Sequence, residues 1–387
     1  MESQLNGTNQ AHLRRALELA EGGRGRVSPN PLVGAVIVRA GQVIGEGFHA
    51  ELGGLHAERA ALADCRGRGE DPAGGTMYVT LEPCAHEGRQ PPCVEAILEA
   101  GIARVVVASD DPSEKAAGRG PGILRDGGVE VAFASGAEAT AARRLNQPFR
   151  KHARTGLPLV VLKMAMSLDG QTTTAPGDSP WISGPESQEL VHRWRAEHDA
   201  IAVGIGTALA DDPLLTARVD CARQPNRVVF DSQGRLPLDS QLLQTLDQAP
   251  VLVVASPDAP RDRTSALQNA GAEILVAPDI ESALRELGRR EITSLFLEGG
   301  KTLAASFISS AQIDESRTFI APVLLGQDKG GWRAGPVTAG DPPCLPVAKA
   351  SSDMVPPTVP PARVTALSST SERVGEDVLI TAMLKEW

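Results

Sequence analysis

His56-Ala57-Glu58 and, further along, Pro83-Cys84 and Pro92-Cys93 bring together the residue types that hold a transition metal. A catalytic zinc ion takes three protein ligands and keeps its fourth position for water. One imidazole and two thiolates neutralise the dication, and the open position acidifies its water toward neutral pH. The spacing restricts the geometry. Residues two apart do not share a helix face, so His56 and Glu58 reach one metal only from the start of a helix. Pro91-Pro92 places Cys93 at the opening of its own helix, because proline suits the first turn. The expected metal position therefore lies over two helix N-termini, whose dipoles favour thiolates. Taken singly, each part has a plainer reading: H-x-E as two polar residues on a solvated helix, and cysteines near prolines as inert thiols. Together, with a strand between them and helix starts at both ends, they read as one metal site.

H-x-E followed by P-C-x-x-C is the general signature of zinc deaminases, in which the Glu shuttles protons and does not ligate. Here Cys84 and Cys93 are separated by eight residues instead of two. The elements that must position these residues follow from apolar periodicity. Leu13, Ala16, Leu17 and Ala20 form a helical stripe closed by Gly22-Gly23. Residues 33–38 and 42–49 form a hairpin. Helices are then expected over 57–63, 93–100, 122–125 and 138–145, and strands over 77–80, 104–109 and 129–133. Such alternation implies a mostly parallel sheet covered on both faces. The basic stretch from Phe149 to Pro158 reads as a turn-rich boundary, which divides the chain into domains 1–150 and 151–387.

A second alternation follows. Strands are expected over 159–164, 200–204, 227–230, 251–255, 273–276, 294–298 and 378–384, with helices over 187–197, 281–287 and 302–309. The segment 336–361 is rich in proline and reads as an irregular excursion. No GxGxxG follows the first strand, so this half is not an ordinary Rossmann domain. It does carry Gly204-Ile-Gly206-Thr207 and Glu298-Gly299-Gly300-Lys301-Thr302 at strand ends before helices. Backbone N–H groups there can meet a pyrophosphate, although glycines at strand ends more often only make turns. Lys163 interrupts an apolar strand and reads either as an electrostatic or proton-donating group in a site, or as an outward-facing residue. Asp211-Asp212 before Pro213 equally suits a turn with a helix cap.

Length and charge set the frame. At 387 residues the chain exceeds one ordinary domain, and 42% hydrophobic with 22% charged residues is ordinary for a globular protein. Its net charge of −10 argues against a nucleic-acid partner. The longest apolar runs are strand-length, too short for a membrane span. With no signal peptide visible at the polar N-terminus, the expectation is a cytoplasmic protein. Cys65, Cys221 and Cys344 read as structural or incidental thiols, not a disulfide framework.

At the insert Pro83-Cys-Ala-His-Glu-Gly-Arg-Gln-Pro-Pro-Cys93 the chain resembles the bifunctional deaminase–reductase family of riboflavin biosynthesis, whose pattern P-C-x-H-x-G-[RK]-x-P-P-C is matched throughout. Pro29–Gly34, Gly45–His49, Val79–Pro83, Asp111-Pro112 and Gly118-Arg-Gly120 extend the resemblance. So do Ser167-Leu-Asp-Gly170, Trp181-Ile-Ser, Leu209–Arg218, Phe230-Asp-Ser232 and Ala321–Gly326, until it covers nearly the whole chain. It implies a cytidine-deaminase-like three-layer α/β/α domain followed by a dihydrofolate-reductase-like α/β domain. It implies Zn2+ held by His56, Cys84 and Cys93, with Glu58 as proton shuttle. Asn30, His86 and Arg89 are then placed near a phosphorylated pyrimidine substrate. In the second half it implies NADPH contacts from Ala165, Trp181, Thr207, Asp211, Ser232, Gly300, Lys301, Thr302 and Leu303, and substrate contacts from Ser179, Arg195, Leu215, Arg218 and Glu298. Arg195 and Arg218 suit the phosphate, and Lys163 is the catalytic candidate. A homo-oligomer is allowed by the sequence but not specified. Two departures stand out: Ser113 where the family has D-P-N, and Arg59 where it carries a small or apolar residue. The rival readings are a nucleoside or tRNA deaminase with an appended non-reductase domain, and a non-enzymatic zinc module.

Overall fold

The computed structural model describes residues 7–88, 90–113, 116–172, 181–219, 223–326 and 364–387. The chain divides into two compact units: residues 1–156 together with Trp387, and residues 157–386.

The first unit runs α1 (Gly7–Ala20), β1 (Gly34–Arg39), β2 (Gln42–Phe48), α2 (Ala57–Gly67), β3 (Thr76–Val79), α3 (Cys93–Glu99), β4 (Arg104–Val107), α4 (Arg119–Asp126), β5 (Glu130–Phe133), α5 (Ala137–Leu145) and α6 (Gln147–Thr155). Its sheet has the order β2-β1-β3-β4-β5. The β1–β2 hairpin and the β1–β3 pair are antiparallel, and β3, β4 and β5 run parallel. Alternate strand residues enter opposite layers, as a period of two demands. Ala35, Ile37, Met77, Val79, Val105 and Val107 pack with Ala57, Ala61, Leu62, Ile97 and Leu124 of α2, α3 and α4. Val36, Val38, Tyr78 and Val106 pack with Leu13 and Ala16 of α1 and Ala142 of α5. Gly47 lets α2 lie directly on β2: a Cβ there would stand 2.3 Å from the Ala61 backbone nitrogen. That close approach sets the height of α2, and with it His56 and Glu58.

One local expectation is corrected. The stretch read as a turn-rich boundary is the helix α6, ended by Gly156 in the left-handed region at φ 71°, and the division between units falls after it. The helix buries Arg150 and Lys151 in place of apolar residues, so no hydrophobic stripe marks it. Trp387 also groups with the first unit.

The second unit runs β6 (Leu159–Ser167), α7 (Pro185–Glu197), β7 (Ala200–Gly204), α8 (Ile205–Asp211), β8 (Asn226–Phe230), α9 (Gln241–Gln244), β9 (Val251–Ala255), α10 (Arg261–Asn269), β10 (Glu273–Val276), α11 (Ile280–Arg289), β11 (Ser294–Leu297), α12 (Lys301–Ser309), β12 (Glu315–Ala321), β13 (Ser368–Val374) and β14 (Asp377–Met383). Its nine strands lie in the order β10-β9-β8-β7-β11-β6-β12-β14-β13. From β10 to β12 they are parallel, while β14 runs antiparallel to both β12 and β13. Two clusters cover the sheet faces, one around Val160, Ala202, Val228, Leu284, Leu297 and Phe307, the other around Ile201, Val203, Val229, Val253 and Leu267. In such open parallel sheets ligands bind beyond the carboxyl ends of the strands, which is where β7, β8 and β11 are followed by Thr207, Ser232 and Glu298–Leu303, while the longer β6 runs on through Lys163–Ser167. The segment 336–361 and Cys221 and Cys344 lie outside the described residues.

Candidate functional site

In the first unit, His56 is the N-cap of α2, in extended conformation, and Glu58 is the second residue of the helix. Cys93 is the first residue of α3, with Pro92 as its N-cap. Cys84 comes from the segment after β3. His56 Nδ1 lies 3.5 Å from Cys84 Sγ and 3.4 Å from Cys93 Sγ. The Cys93 amide donates to Cys84 Sγ at 3.3 Å, the helix-terminal stabilisation of a thiolate that the sequence implies. Among the described residues, His56, Cys84 and Cys93 form the one His/Cys/Asp/Glu group able to hold a metal, with donor atoms within 4.8 Å of one another.

The electrostatics suit a dication. Hydrogen bonding from Cys93, helped by His56, pushes the Cys84 thiol down to about 4 despite burial. The same contact and burial push the Cys93 thiol up. Two thiols at this distance share one proton among protein groups alone, and a second positive charge is what allows both to ionise. Glu58, 3% exposed, is pushed up to about 7 by burial, with the Cys84 thiolate adding to the rise. The residues present therefore fit a zinc ion with three protein ligands, an open fourth position and a carboxyl beside it.

Asn30 sits against His49, a residue that sequence reasoning quoted in a motif but did not assign. His49 Nδ1 lies 3.0 Å from the Leu55 carbonyl oxygen, and His49 Nε2 lies 3.1 Å from Asn30 Nδ2. A carbonyl only accepts, so Nδ1 carries the hydrogen and Nε2 accepts from the Asn30 amide. Burial pushes His49 down and keeps it neutral. Asn30 Oδ1 is thereby left to face another partner. His49 also meets the His56 ring edge-on at 5.3 Å. His86 is exposed, near enough to Asp111 to act on its carboxyl. Ser113 donates its amide to Asp111 Oδ1 at 2.8 Å, so this backbone keeps its turn without an asparagine. Gly120 passes so near Pro83 that a Cβ would stand 2.0 Å from its carbonyl oxygen, which accounts for the glycine in Gly118-Arg-Gly120. Arg89 lies outside the described residues.

In the second unit, Arg195 of α7 grips Glu298 with two parallel bonds, Nε to Oε1 at 2.6 Å and Nη2 to Oε2 at 2.9 Å, and gives Nη1 to the Thr216 carbonyl at 3.2 Å. Burial alone would raise the Glu298 carboxyl, but Arg195 and then Lys163 outweigh it and hold it below the ordinary range. Lys163 faces this cluster from β6. Burial pushes its amine down, and only the Glu298 charge works against that. His192, one turn before Arg195, accepts the Arg218 amide at Nδ1 over 3.3 Å and is pushed down by burial and by both arginines. Sequence reasoning missed it, because a lone histidine on a helix carries no signal. The Arg218 side chain is exposed. The Arg195 fork is committed to Glu298, whereas Arg218 presents its guanidinium to solvent.

The Gly299-Gly300 turn meets the first turn of α8. The Gly300 amide donates to Thr207 Oγ1 at 3.2 Å, joining the ends of the adjacent parallel strands β7 and β11. Lys301 and Thr302 open α12, and Leu303 is buried. Ser232 is buried just beyond β8, Ala165 lies on β6 two residues from Lys163, and Asp211, with its carboxyl pushed up by burial, ends α8. Asp212 follows in the left-handed region at φ 38° and accepts the Gln241 amide at 2.9 Å, the turn and cap that its sequence allows. Leu215 is buried at φ 55°, a conformation a branched residue seldom adopts. Trp181 is exposed at 56%, and Ser179 lies outside the described residues.

Comparison with known proteins reaches the same two halves. Residues 7–109 match the cytidine and deoxycytidylate deaminase zinc-binding region, and residues 158–339 match the RibD C-terminal domain. The riboflavin biosynthesis protein RibD of Actinobacillus pleuropneumoniae is 41% identical over 325 residues, covering 82% of this chain and 85% of that protein. The chain belongs to the RibD family. The Escherichia coli K12 member is 38% identical over 342 residues, covering 84% of this chain and 90% of its own. Two solved structures are similar over 98% of the chain and 99% of theirs: RibD of Acinetobacter baumannii, with a TM-score of 0.79 at 34% identity, and a deaminase/reductase of Thermotoga maritima, with a TM-score of 0.78 at 33%. As a RibD family member the chain is a bifunctional riboflavin-biosynthesis enzyme, a deaminase joined to a reductase. The appended non-reductase domain of the first rival reading is overturned by the match to the RibD C-terminal domain. Among the described residues no helix is long and apolar enough to cross a membrane.

Proposed function

We propose that the first unit hydrolytically deaminates a diaminopyrimidinone ribosyl phosphate and that the second reduces the ribosyl group of the product to ribityl with NADPH, each unit housing one activity. The observation that carries the reading is the triad of His56, Cys84 and Cys93 with Glu58 beside it, in one chain with a separate Lys163–Glu298–Arg195 cluster at the strand ends of a reductase fold. The name of the Thermotoga maritima relative, a diaminohydroxyphosphoribosylaminopyrimidine deaminase and 5-amino-6-(5-phosphoribosylamino)uracil reductase, supports the choice of substrates.

His56, Cys84 and Cys93 would hold zinc, which when bound supplies Lewis acidity and a nucleophilic water at neutral pH. Asn30 Oδ1 accepts from the pyrimidine edge, its orientation fixed by His49. Glu58 takes the proton that water gives up as it adds to the amino-bearing carbon, then passes it to the departing ammonia. A carboxyl lifted to about 7 can do both near neutral pH. In the second unit, NADPH when bound would supply a hydride for the first carbon of the sugar. Thr207 and Gly300–Leu303 would hold its phosphates, and Ala165, Trp181, Asp211 and Ser232 would contact the rest. For the first unit's substrate Arg89 is the phosphate clamp and His86 a further contact; for the second unit's substrate Arg218 is the phosphate clamp, with Ser179, Arg195, Leu215 and Glu298 as further contacts. Lys163 gives its proton to the ring oxygen released as the sugar opens, a transfer eased by its depressed pKa.

Purified protein should hold one zinc per chain, and Cys84→Ser and Cys93→Ser should each lose it together with deamination. Elemental analysis checks this. Full metal content in both variants would remove the site from the account.

A further inference from the structure

Arg59 stands where its charge is out of place. It is the third residue of α2, and cations are disfavoured at a helix N-terminus because the peptide dipoles present their positive end there. A bound dication at the neighbouring His56 would add to that repulsion. Something local must hold the guanidinium in position. Its Nε donates to the Pro91 carbonyl at 3.3 Å and its Nη2 to the Pro92 carbonyl at 2.9 Å.

Those two carbonyls are not ordinary acceptors. Proline has no N–H, and Pro91-Pro92 is the short stretch of chain that delivers Cys93 to the first turn of α3. The long excursion between Cys84 and Cys93 leaves this arm poorly determined by local chain geometry, because a loop of eight intervening residues has far more freedom than the two of a P-C-x-x-C turn. A second tie works on the same arm: Gln90 Nε2 donates to the Gly53 carbonyl at 2.9 Å. Gly53 itself lies three residues before His56. The arm that carries Cys93 is thus fastened twice to the segment that carries His56 and Glu58.

We propose that Arg59 is a positioning residue for the metal site, a two-pronged strap that fixes the Cys93 arm relative to His56 and so preorganises the three zinc donors. The guanidinium suits this task because its donors diverge in a rigid plane and reach two successive carbonyls at once, which an ammonium cannot do with the same geometry. Its bonds go to the Pro91 and Pro92 carbonyls, so it acts through the backbone that presents Cys93. The inference rests on the zinc reading given above.

The test is zinc affinity of the full-length protein, measured by competition with a chromophoric chelator, for wild type, Arg59→Met and Arg59→Lys. Arg59→Met keeps the aliphatic stem and removes both bonds. Outer contacts that orient metal ligands are worth about 10- to 100-fold in affinity, so Arg59→Met should bind zinc about 10- to 100-fold more weakly, with Arg59→Lys between it and wild type. The Cys-to-Co2+ charge-transfer bands of the cobalt-substituted protein should shift or weaken in Arg59→Met, which a change confined to overall stability would not produce. Melting of the metal-free proteins should coincide. Equal zinc affinity with unaltered cobalt bands would overturn the strap. So would a fall in metal-free stability large enough to account for the weaker binding. If Arg59→Met fails to fold, Arg59→Gln carries the same comparison. Failure of wild type to bind zinc would instead strike the zinc reading itself.

Discussion

Glu58→Gln should retain zinc and both folds yet release ammonia roughly 10²- to 10⁴-fold more slowly than wild type, because an amide cannot carry the proton from water to the leaving group and such transfers are worth that much. The substitution is nearly isosteric at a buried position, and it removes a carboxyl that burial already pushes toward the neutral form, so no stability is expected to be lost with it. NADPH oxidation with deaminated substrate should be unchanged in the same variant. Steady-state ammonia release, zinc content and NADPH consumption measured on one preparation separate these effects. Normal ammonia release would mean that the proton travels by another route, and a parallel loss of reduction would break the assignment of one activity to each unit.

Lys163→Met should do the converse: NADPH oxidation falling by about 10²-fold or more in kcat, with the KM for deaminated substrate changed only a few-fold and ammonia release untouched. Methionine keeps the length of the stem in a partly buried strand position while removing the proton donor. The pH dependence gives an independent check. Burial depresses the Lys163 pKa below its ordinary value, and an acid is competent only while protonated. The reductase rate should therefore be fully present below that depressed pKa and fall as pH rises through it. The variant should lack this descending limb. A profile of the same shape in both proteins would show that Lys163 does not deliver the proton.

The clustering of His56, Cys84 and Cys93 was legible in the sequence because its parts are local: H-x-E at a helix start, a proline pair before Cys93, and a strand between. The strands of both units were legible for the same reason, since runs such as Val251–Ala255 are continuous apolar stretches buried on both faces. What escaped has physical causes. The strand β13, Ser368–Val374, is a polar edge strand with little to bury. The strand β12 opens with four polar residues, Glu315 to Thr318, before its apolar positions, and α10 buries a single leucine, Leu267. The helix α6 hides charged side chains where a helix would ordinarily show an apolar stripe. Pairings across the fold escaped entirely. Nothing local joins Arg195 to Glu298, 103 residues away, and the partnership of Asn30 with His49 depends on a carbonyl at Leu55 that fixes the histidine tautomer. Arg59 looked unaccountable in the sequence because its partners are backbone oxygens, which no residue type announces.

The most direct test of the two-step reading is to supply the purified protein with the diaminopyrimidinone ribosyl phosphate, first alone and then with NADPH or NADH, following ammonia and reduced nicotinamide separately. The account predicts stoichiometric ammonia without any nicotinamide, then NADPH oxidation equal to the ammonia already released, with NADPH used more efficiently than NADH. Nicotinamide oxidation that precedes or proceeds without ammonia release, or ammonia release from cytidine but not from this substrate, would contradict it.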